Sequence, residues 1–544
     1  MKILFVSIDS KYIHTNLAVR YLKANCSSYS TIIEFTIKDS LEVMYQKILN
    51  ETFDVIAFSA YIWNIEIIQT LTQKLKQNSD CIILWGGPEV SYDPDYFLEH
   101  FLVDAIISQE GEIAFNEYVL ALENHLPLRD VPNLVYKESG KIIHNRQELI
   151  KDLNSLKTPY YFEEDVSSIP NKIQYIETSR GCPFHCSYCL ASLDNKVRFF
   201  NIERVKNDIE YLIEKGAKTF KFLDRTFNTN PIYAKEIFDF IIKHSLPNTS
   251  FQFEITGDIL PKELIEYINS NAPKNLIRFE IGIQSTNLLS NLAVDRHQDT
   301  LKLFDTISLI QKGAIIDLHL DLIAGLPYEN LVCFEKTFNE VFSLYAKELQ
   351  LGFLKMLRGT KIRKEALQYG YEFDFFAPYE ITKTHELTKE DLNKIHIVES
   401  MLELYWNKGF MNHTIKSLTN CLPSSFAFFL QLGTYYKQNN YNLHRYQLSD
   451  LFKWFYLFIL KFYLEESETV LANLKFDYLN HFRIKPQIWW NQSKINKNQL
   501  IRDFFSKNQT IKIDDLYKYG IVTTFLNQYL LFVYFPNQTL HFMF

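Results

Sequence analysis

Five short apolar runs, Ile3–Ile8, Ile32–Ile37, Val55–Ala60, Ile82–Trp85 and Ala105–Ser108, punctuate the first 110 residues. Between them apolar residues recur at helical spacing: Leu17, Tyr21 and Leu22; then Leu41, Met44, Ile48 and Leu49; then Ile67, Ile68, Leu71 and Leu75. Short strands without polar alternation are buried on both faces. With helices between them they make a parallel, doubly wound α/β sheet. Ligands on such a sheet sit at the carboxyl ends of its strands. Those ends read Asp9–His14, Ser59-Ala-Tyr61, Gly86-Gly87-Pro88-Glu89 and Glu110-Gly111-Glu112. Glycines at such turns let backbone approach a broad flat ligand closely, or simply permit a tight turn.

The alternation resumes beyond a charged, proline-marked stretch at 151–170, with strands expected at Ile173–Thr178, Thr219–Leu223, Phe251–Ile255, Ile277–Ile283, Ile315–Ala324 and Leu349–Leu357. Just after the first of these, Arg180–Cys189 carries Cys182, Cys186 and Cys189, three of only seven cysteines. Three thiolates on one short loop can hold three irons of a 4Fe–4S cluster and leave the fourth iron open. They could also make a zinc site with His185, although no second CxxC or HxxxH follows. A disulfide framework does not suit a chain that begins on a strand without a secretory signal, and reduced cysteines point to the cytoplasm.

The Cys-x₃-Cys-x₂-Cys spacing resembles that of the radical S-adenosylmethionine (SAM) enzymes, and further marks follow it in order. Phe222-Leu-Asp224-Arg225-Thr-Phe227 is similar to the family's FxDxxF segment, Phe279-Glu280-Ile-Gly282-Ile-Gln284-Ser285 to its xGxQS strand, and Asp321-Leu-Ile-Ala-Gly325-Leu-Pro327-Tyr-Glu329 resembles its GxIxGxxE segment. The resemblance implies a partial (β/α)₆ barrel of TIM type, with the three cysteines as metal ligands. It also implies SAM contacts from Tyr188, Asp224, Glu254, Glu280, Gln284, Ser285, Gly325 and Glu329. The preceding Rossmann- or flavodoxin-like domain resembles the cobalamin-binding domain of one large radical SAM class. This implies corrinoid contacts from Ser59, Tyr61, Gly86, Gly87, Pro88, Glu110, Gly111 and Glu112. The loop that supplies a histidine to cobalt in some cobalamin proteins is missing, because Asp9 and His14 are five residues apart.

The domains expected are a cobalamin-binding-like domain over 1–150, a linker over 151–170, a radical SAM domain over 171–375 and a mostly helical domain of unknown role over 376–544. Net charge is −7, which gives no basic footprint for nucleic acid. Residues 381–544 hold 18 Lys and Arg against 13 Asp and Glu, or +5, leaving −12 for the rest. Within them Trp489-Trp490 precedes Lys494, Lys497 and Arg502, a pattern read as a solvated basic face over an aromatic core. No apolar run is long enough to span a bilayer.

The family comparison implies reductive cleavage of SAM to a 5′-deoxyadenosyl radical and methylation of an unactivated carbon. The substrate is an unknown small molecule or peptide, and the electron donor a low-potential protein such as a flavodoxin or ferredoxin. Radical cyclisation without methyl transfer, as in the anaerobic porphyrin-ring cyclase branch, is the alternative within the enzyme class. A non-catalytic corrinoid or SAM sensor is the alternative outside it. A methylthiotransferase would bring three more N-terminal cysteines, and only Cys26 and Cys81 precede the loop.

Overall fold

The computed structural model describes residues 1–486, 489–490 and 495–544. The first sheet has the order β2-β1-β3-β4-β5-β6-β7. Its strands are β1 (Lys2–Asp9), β2 (Tyr29–Thr36), β3 (Val55–Ser59), β4 (Ile82–Gly86), β5 (Ala105–Ile107), β6 (Leu134–Glu138) and β7 (Lys141–His144). The first five pair parallel, and a hairpin turning at Ser139-Gly140 extends the sheet antiparallel from β5. Successive side chains alternate faces. Leu4, Val6, Ile8, Ile56, Phe58, Ile83 and Trp85 therefore build one core, and Ile3, Phe5, Val55, Ala57 and Leu84 the other. Helices are stopped and started locally: Asn16 caps Leu17–Asn25 through Val19 N at 3.2 Å, and Ser40 caps Leu41–Leu49.

The second sheet has the order β15-β14-β13-β12-β11-β8. Its members are β8 (Ile173–Ile176), β11 (Thr219–Phe222), β12 (Ser250–Ile255), β13 (Ile277–Gln284), β14 (Asp317–Ala324) and β15 (Glu348–Phe353); β9 (Ser179–Arg180) and β10 (Arg198–Phe199) form a separate two-residue ribbon. Pairing from β8 through β14 is parallel throughout. On β12 and β13 the odd residues are buried and the even ones only partly so. The odd face carries Phe251, Phe253, Ile277, Phe279 and Ile281 against the helices. Phe222 and Phe227 join that core, 4.2 and 4.5 Å from Phe253 between ring centroids. The even face holds Gln252, Glu254, Arg278, Glu280 and Gln284, so this barrel has a polar lumen.

The chain divides into two compact units: 1–330 with 352–389, and 331–351 with 390–544. This differs from a simple cut at 375, because Leu331–Phe342 groups with the C-terminal helices. Among the described residues the second unit is mainly helical before Gly520 and ends in a three-stranded antiparallel sheet over Gly520–Phe525, Gln528–Tyr534 and Thr539–Met543. The strands were not anticipated, since the run Ile521–Phe535 shows no alternation. Trp489 and Trp490 are buried, packing on Tyr456 and Tyr478, so neither offers a stacking face; Lys494 lies outside the described residues. Among the described residues no helix is long and apolar enough to cross a membrane.

Candidate functional site

Chain leaving β8 turns at Thr178 and enters the cysteine loop between β9 and β10. Cys182 and Cys186 are buried, Cys189 half-buried and His185 exposed; none of the seven cysteines is in a disulfide. Gly181 has φ +93°, and a Cβ there would meet Lys196 O at 2.4 Å, so the loop's entry requires glycine. Backbone bonds then fix the loop: Cys182 N to Asp194 O (2.9 Å), Cys189 N to Cys186 O (3.0 Å), Ser187 N to Val294 O (2.9 Å) and Ile362 N to Ser187 O (3.0 Å). Burial pushes the Cys189 thiol up, with Arg225 opposing and Cys186 and Cys182 adding to it. The three sulfurs are thus neighbours. A tetrahedral zinc with bonds of about 2.3 Å needs its sulfurs roughly 4 Å apart. Among the described residues the one triad of ligand-type groups within 4.8 Å is Glu280, His319 and Asp321. The three thiols are absent from that set and His185 is exposed, so they form no closed single-ion site, and their Cys-x₃-Cys-x₂-Cys loop suits a polynuclear cluster.

Asp224, at the carboxyl end of β11, is fully buried. Its carboxylate accepts from Thr178 N (3.1 Å), Thr178 Oγ1 (2.5 Å) and Ser179 Oγ (2.5 Å). It clamps the chain that enters the cysteine loop. Thr226 Oγ1 lies 3.9 Å from Cys182 Sγ. Arg225, between them, is exposed, and its charge acts on Cys189, Tyr61 and Glu254. On the other flank Arg296 reaches Cys186 Sγ (3.8 Å), Tyr188 Oη (3.4 Å) and Gly282 O (2.5 Å). One guanidinium, Arg296, therefore contacts a thiol, and the charge of a second, Arg225, acts on Cys189, as an anionic iron–sulfur cluster would require.

In the lumen, Glu254 is partly buried, makes no hydrogen bond or ion pair among the described residues, and is pushed up to about 7 by burial, with Arg225 opposing. Glu280 accepts from Lys221 (3.2 Å) and Gln252. Arg278 Nη2 sits 3.0 Å from His319 Nδ1, and His319 Nε2 3.1 Å from Asp321 Oδ1. Cations from Lys221 and Arg278 thus offset this acidic triad. Gln284 has φ +66°, and its side-chain Oε1 is buried without a hydrogen-bond partner among the described residues. Ser285 Oγ donates to Glu329 Oε1 at 2.6 Å, both fully buried. Gly325 has φ +92°, and its carbonyl accepts from Tyr371 Oη at 2.8 Å.

At the carboxyl edge of the first sheet, Tyr61 stacks on Trp63 with centroids 4.3 Å apart and planes 8° from parallel. Trp63 (44%), Tyr12 (65%) and Ile13 (43%) are exposed there. A flat aromatic pair with exposed apolar neighbours suits a broad planar ligand. Ser59 accepts from Asn16 Nδ2 at 2.8 Å. Gly87 has φ +111°, and a Cβ would meet Ala60 O at 2.6 Å, so its glycine serves the close approach of the β3 and β4 turns. Gly86 has ordinary space, and Pro88 opens the short helix Pro88–Ser91. Buried Glu89 accepts from Tyr379 and lies 3.5 Å from Arg358 Nε. The carboxylates of Glu110 and Glu112 are taken by arginines: Arg180 at 3.1 and 2.5 Å, and Arg198 at 2.9 Å from Glu110. Gly111 precedes the helix Glu112–Glu123. His14 points elsewhere, its Nδ1 2.7 Å from Tyr175 Oη, and burial pushes its pKa down.

The chain matches the B12 binding domain family over residues 3–119, the radical SAM superfamily over 176–341 and a family described as a protein of unknown function (DUF4080) over 367–524. The chain is a radical SAM protein with a B12-binding domain. Curated relatives include an uncharacterized methyltransferase of Pyrococcus horikoshii, 32% identical over 170 residues, 29% of this chain and 37% of that one. The cobalamin-dependent radical SAM methyltransferase TokK of Streptomyces tokunonensis is 24% identical over 303 residues, 51% of this chain and 43% of that one. The chain thus spans well under half the length of these relatives. Among solved structures, apo OxsB, a cobalamin-dependent SAM radical enzyme, superposes with a TM-score of 0.62 at 16% identity, covering 88% of this chain and 79% of that one. The radical SAM methyltransferase TsrM from Kitasatospora setae gives 0.59 at 12% identity, covering 70% and 79%. These structures share the fold with this radical SAM protein. Arg180, Arg296 and Arg358 hold residues around these sites, and none of them is a position that the quoted motifs specify. Only their placement beside motif residues hinted at them.

Proposed function

We propose that this chain is a cobalamin-dependent radical SAM methylating enzyme. The observation that carries the proposal is one compact unit in which Glu110 and Glu112, after β5 of the B12-binding domain, pair with Arg180 and Arg198 at the two ends of the cysteine loop. The loop after β1 meets the barrel directly: Ile173 N donates to Ile13 O (2.7 Å) and Thr15 Oγ1 to Ile173 O (2.8 Å). When bound, a 4Fe–4S cluster with SAM supplies a carbon radical that takes hydrogen from an unactivated C–H bond, and a corrinoid supplies the methyl group.

In this reading Cys182, Cys186 and Cys189 ligate the cluster, and Arg225 and Arg296 balance its charge. Tyr188, Gln284, Ser285, Gly325 and Glu329 surround SAM, with the unsatisfied Oε1 of Gln284 available to it. Glu254, with a pKa raised to about 7, takes and releases a proton at the lumen near neutrality, where the substrate lies; Glu280 shapes that lumen together with Lys221. Tyr61 and Trp63 carry the corrinoid face, and Ser59, Gly86 and Pro88 its rim. With His14 turned to Tyr175, no histidine of this loop serves cobalt. The substrate is a small molecule or peptide, and a flavodoxin or ferredoxin delivers the electron. Cysteines kept out of disulfides suit a reducing cytoplasm.

The test is anaerobic reconstitution with iron, sulfide and aquacobalamin, followed by SAM and dithionite. The wild type should hold about four irons, bind corrinoid and release 5′-deoxyadenosine. Release by Cys186→Ala at the wild-type rate would overturn the radical assignment. Iron uptake without corrinoid binding would remove methyl transfer.

A further inference from the structure

The cysteine loop is an excursion with a neck. β9 and β10 pair antiparallel, with Arg180 directly opposite Arg198, and residues 181–197 between them contain all three cysteines. Both neck arginines reach one carboxylate that comes from the B12-binding domain. Glu110 Oε1 is 3.1 Å from Arg180 Nη1, and Glu110 Oε2 is 2.9 Å from Arg198 Nη1. Glu110 is itself fixed, because its Oε2 also accepts from Ile150 N at 2.6 Å. These three side chains are only 12–14% exposed, so the contact is largely out of water. Each arginine is then oriented by a further partner. Arg180 is held by Glu112 (2.5 Å) and Glu177 (3.0 Å), and Arg198 by Asp194 (2.6 Å). Asp194 O in turn accepts from Cys182 N, so the neck hands its geometry straight to the first thiol.

We propose that Glu110 is a positioning residue for the cysteine loop, a staple from the B12-binding domain across the loop's two ends. It acts on the cluster only through Arg180 and Arg198. A planar guanidinium on each side of one carboxylate fixes both distance and orientation, which a single ion pair does not. The B12-binding domain thereby shapes the cluster loop as well as presenting its own ligand. The inference toward the cluster rests on the proposed function, but the staple itself does not.

The experiment uses the full chain as Glu110→Gln, Arg198→Gln and the double variant, with exposed Glu138→Gln as control. In apo protein, amide exchange over 181–197 should be roughly tenfold faster in Glu110→Gln, while β12 and β13 keep wild-type protection. The double variant should be no faster than the worse single, because the two residues act as one unit. After anaerobic reconstitution, Glu110→Gln should lose iron faster in air. Its cluster potential should move upward, because a negative charge has left the surroundings of the two arginines. Glu110→Asp, which keeps the charge but sets the carboxylate one methylene back from the arginines, should recover the potential and not the protection of 181–197. Unchanged exchange in Glu110→Gln, or additive effects in the double variant, would overturn the staple. Failure of the wild type to take up iron would instead overturn the proposed function and leave the exchange result standing. Should Glu110→Gln unfold, Arg198→Gln and Glu110→Asp carry the same comparison.

Discussion

Thr178 closes the carboxylate of Asp224 from two sides, with its amide at 3.1 Å and its hydroxyl at 2.5 Å. Ser179 adds a third donor. Asp224 is fully buried, and burial raises its pKa while these donors lower it. Removing the acceptor strands three donors beside the entrance of the cysteine loop. Asp224→Ala should therefore cost about 3–5 kcal/mol and lower the melting temperature of the first unit. Asp224→Asn, which keeps the shape, should cost less. Calorimetry on apo protein measures the loss. In the Asn variant, SAM affinity per intact cluster should equal that of wild type; a selective loss of SAM binding would instead make Asp224 a SAM contact.

Glu254 gives a pH dependence of stability. Its pKa stands at about 7 in the fold against 4.5 for the free side chain. The folded chain therefore keeps a proton that the unfolded chain releases above 4.5. Stability falls as pH rises from about 4.5 to about 7, and the penalty is complete above that range. Glu254→Gln removes it. The variant should melt higher than wild type at pH 8, by on the order of 2–3 kcal/mol in stability, and the gap should shrink towards pH 5. A gap that stays constant across this range would place the ionisation elsewhere.

The strands of both α/β sheets were legible in the sequence within a few residues, because each is a compact apolar run flanked by helical periodicity. The cysteine loop and the strand-end motifs were legible for the same reason: their residue types are rare and their order is fixed. What the sequence hid is which of those residues are spent on the protein itself. Phe222 and Phe227 face the helix-side core, and Asp224, Glu89, Glu110 and Glu112 are consumed by hydroxyls or arginines distant in sequence. The contacts of Glu110 and Arg180 lie 70 residues apart, and nothing local to either announces the other. The terminal sheet was hidden for a different reason. Leu530 to Tyr534 are all buried, so the alternation that marks a half-exposed strand is absent.

Tyr61 and Trp63 make the platform at the first sheet's edge, with Trp63 Nε1 held by Ile8 O at 3.2 Å. Planar stacking of an exposed indole is worth about 0.5–1.5 kcal/mol beyond its buried area. Trp63→Ala should weaken aquacobalamin binding on the order of tenfold in an absorbance titration, without loss of iron. His14→Ala should leave the cobalamin spectrum unchanged, because His14 Nδ1 is turned to Tyr175.

Asp477 locks two helices of the second unit. It is buried, and it accepts from Thr414 N (2.9 Å), Thr414 Oγ1 (2.6 Å) and His413 Nδ1 (2.7 Å) at the first turn of Asn412–Thr419. The hydrogen bond with Asp477 raises the pKa of His413, against a smaller effect of burial. Stability from this pair is present below about pH 6.5 and is lost as pH rises through the raised value. The His413 side chain is 61% exposed, so solvent screening keeps this contribution to a few tenths of a kcal/mol. The two Thr414 bonds do not titrate with the histidine. Asp477→Ala should therefore cost about 2–4 kcal/mol at every pH between 6 and 8, whereas His413→Ala should cost little and only at the acid end. Separate melting of the second unit, followed by amide exchange over Asn412–Thr419, measures both. Equal losses in the two variants would make the ion pair, not the helix cap, the source of the lock.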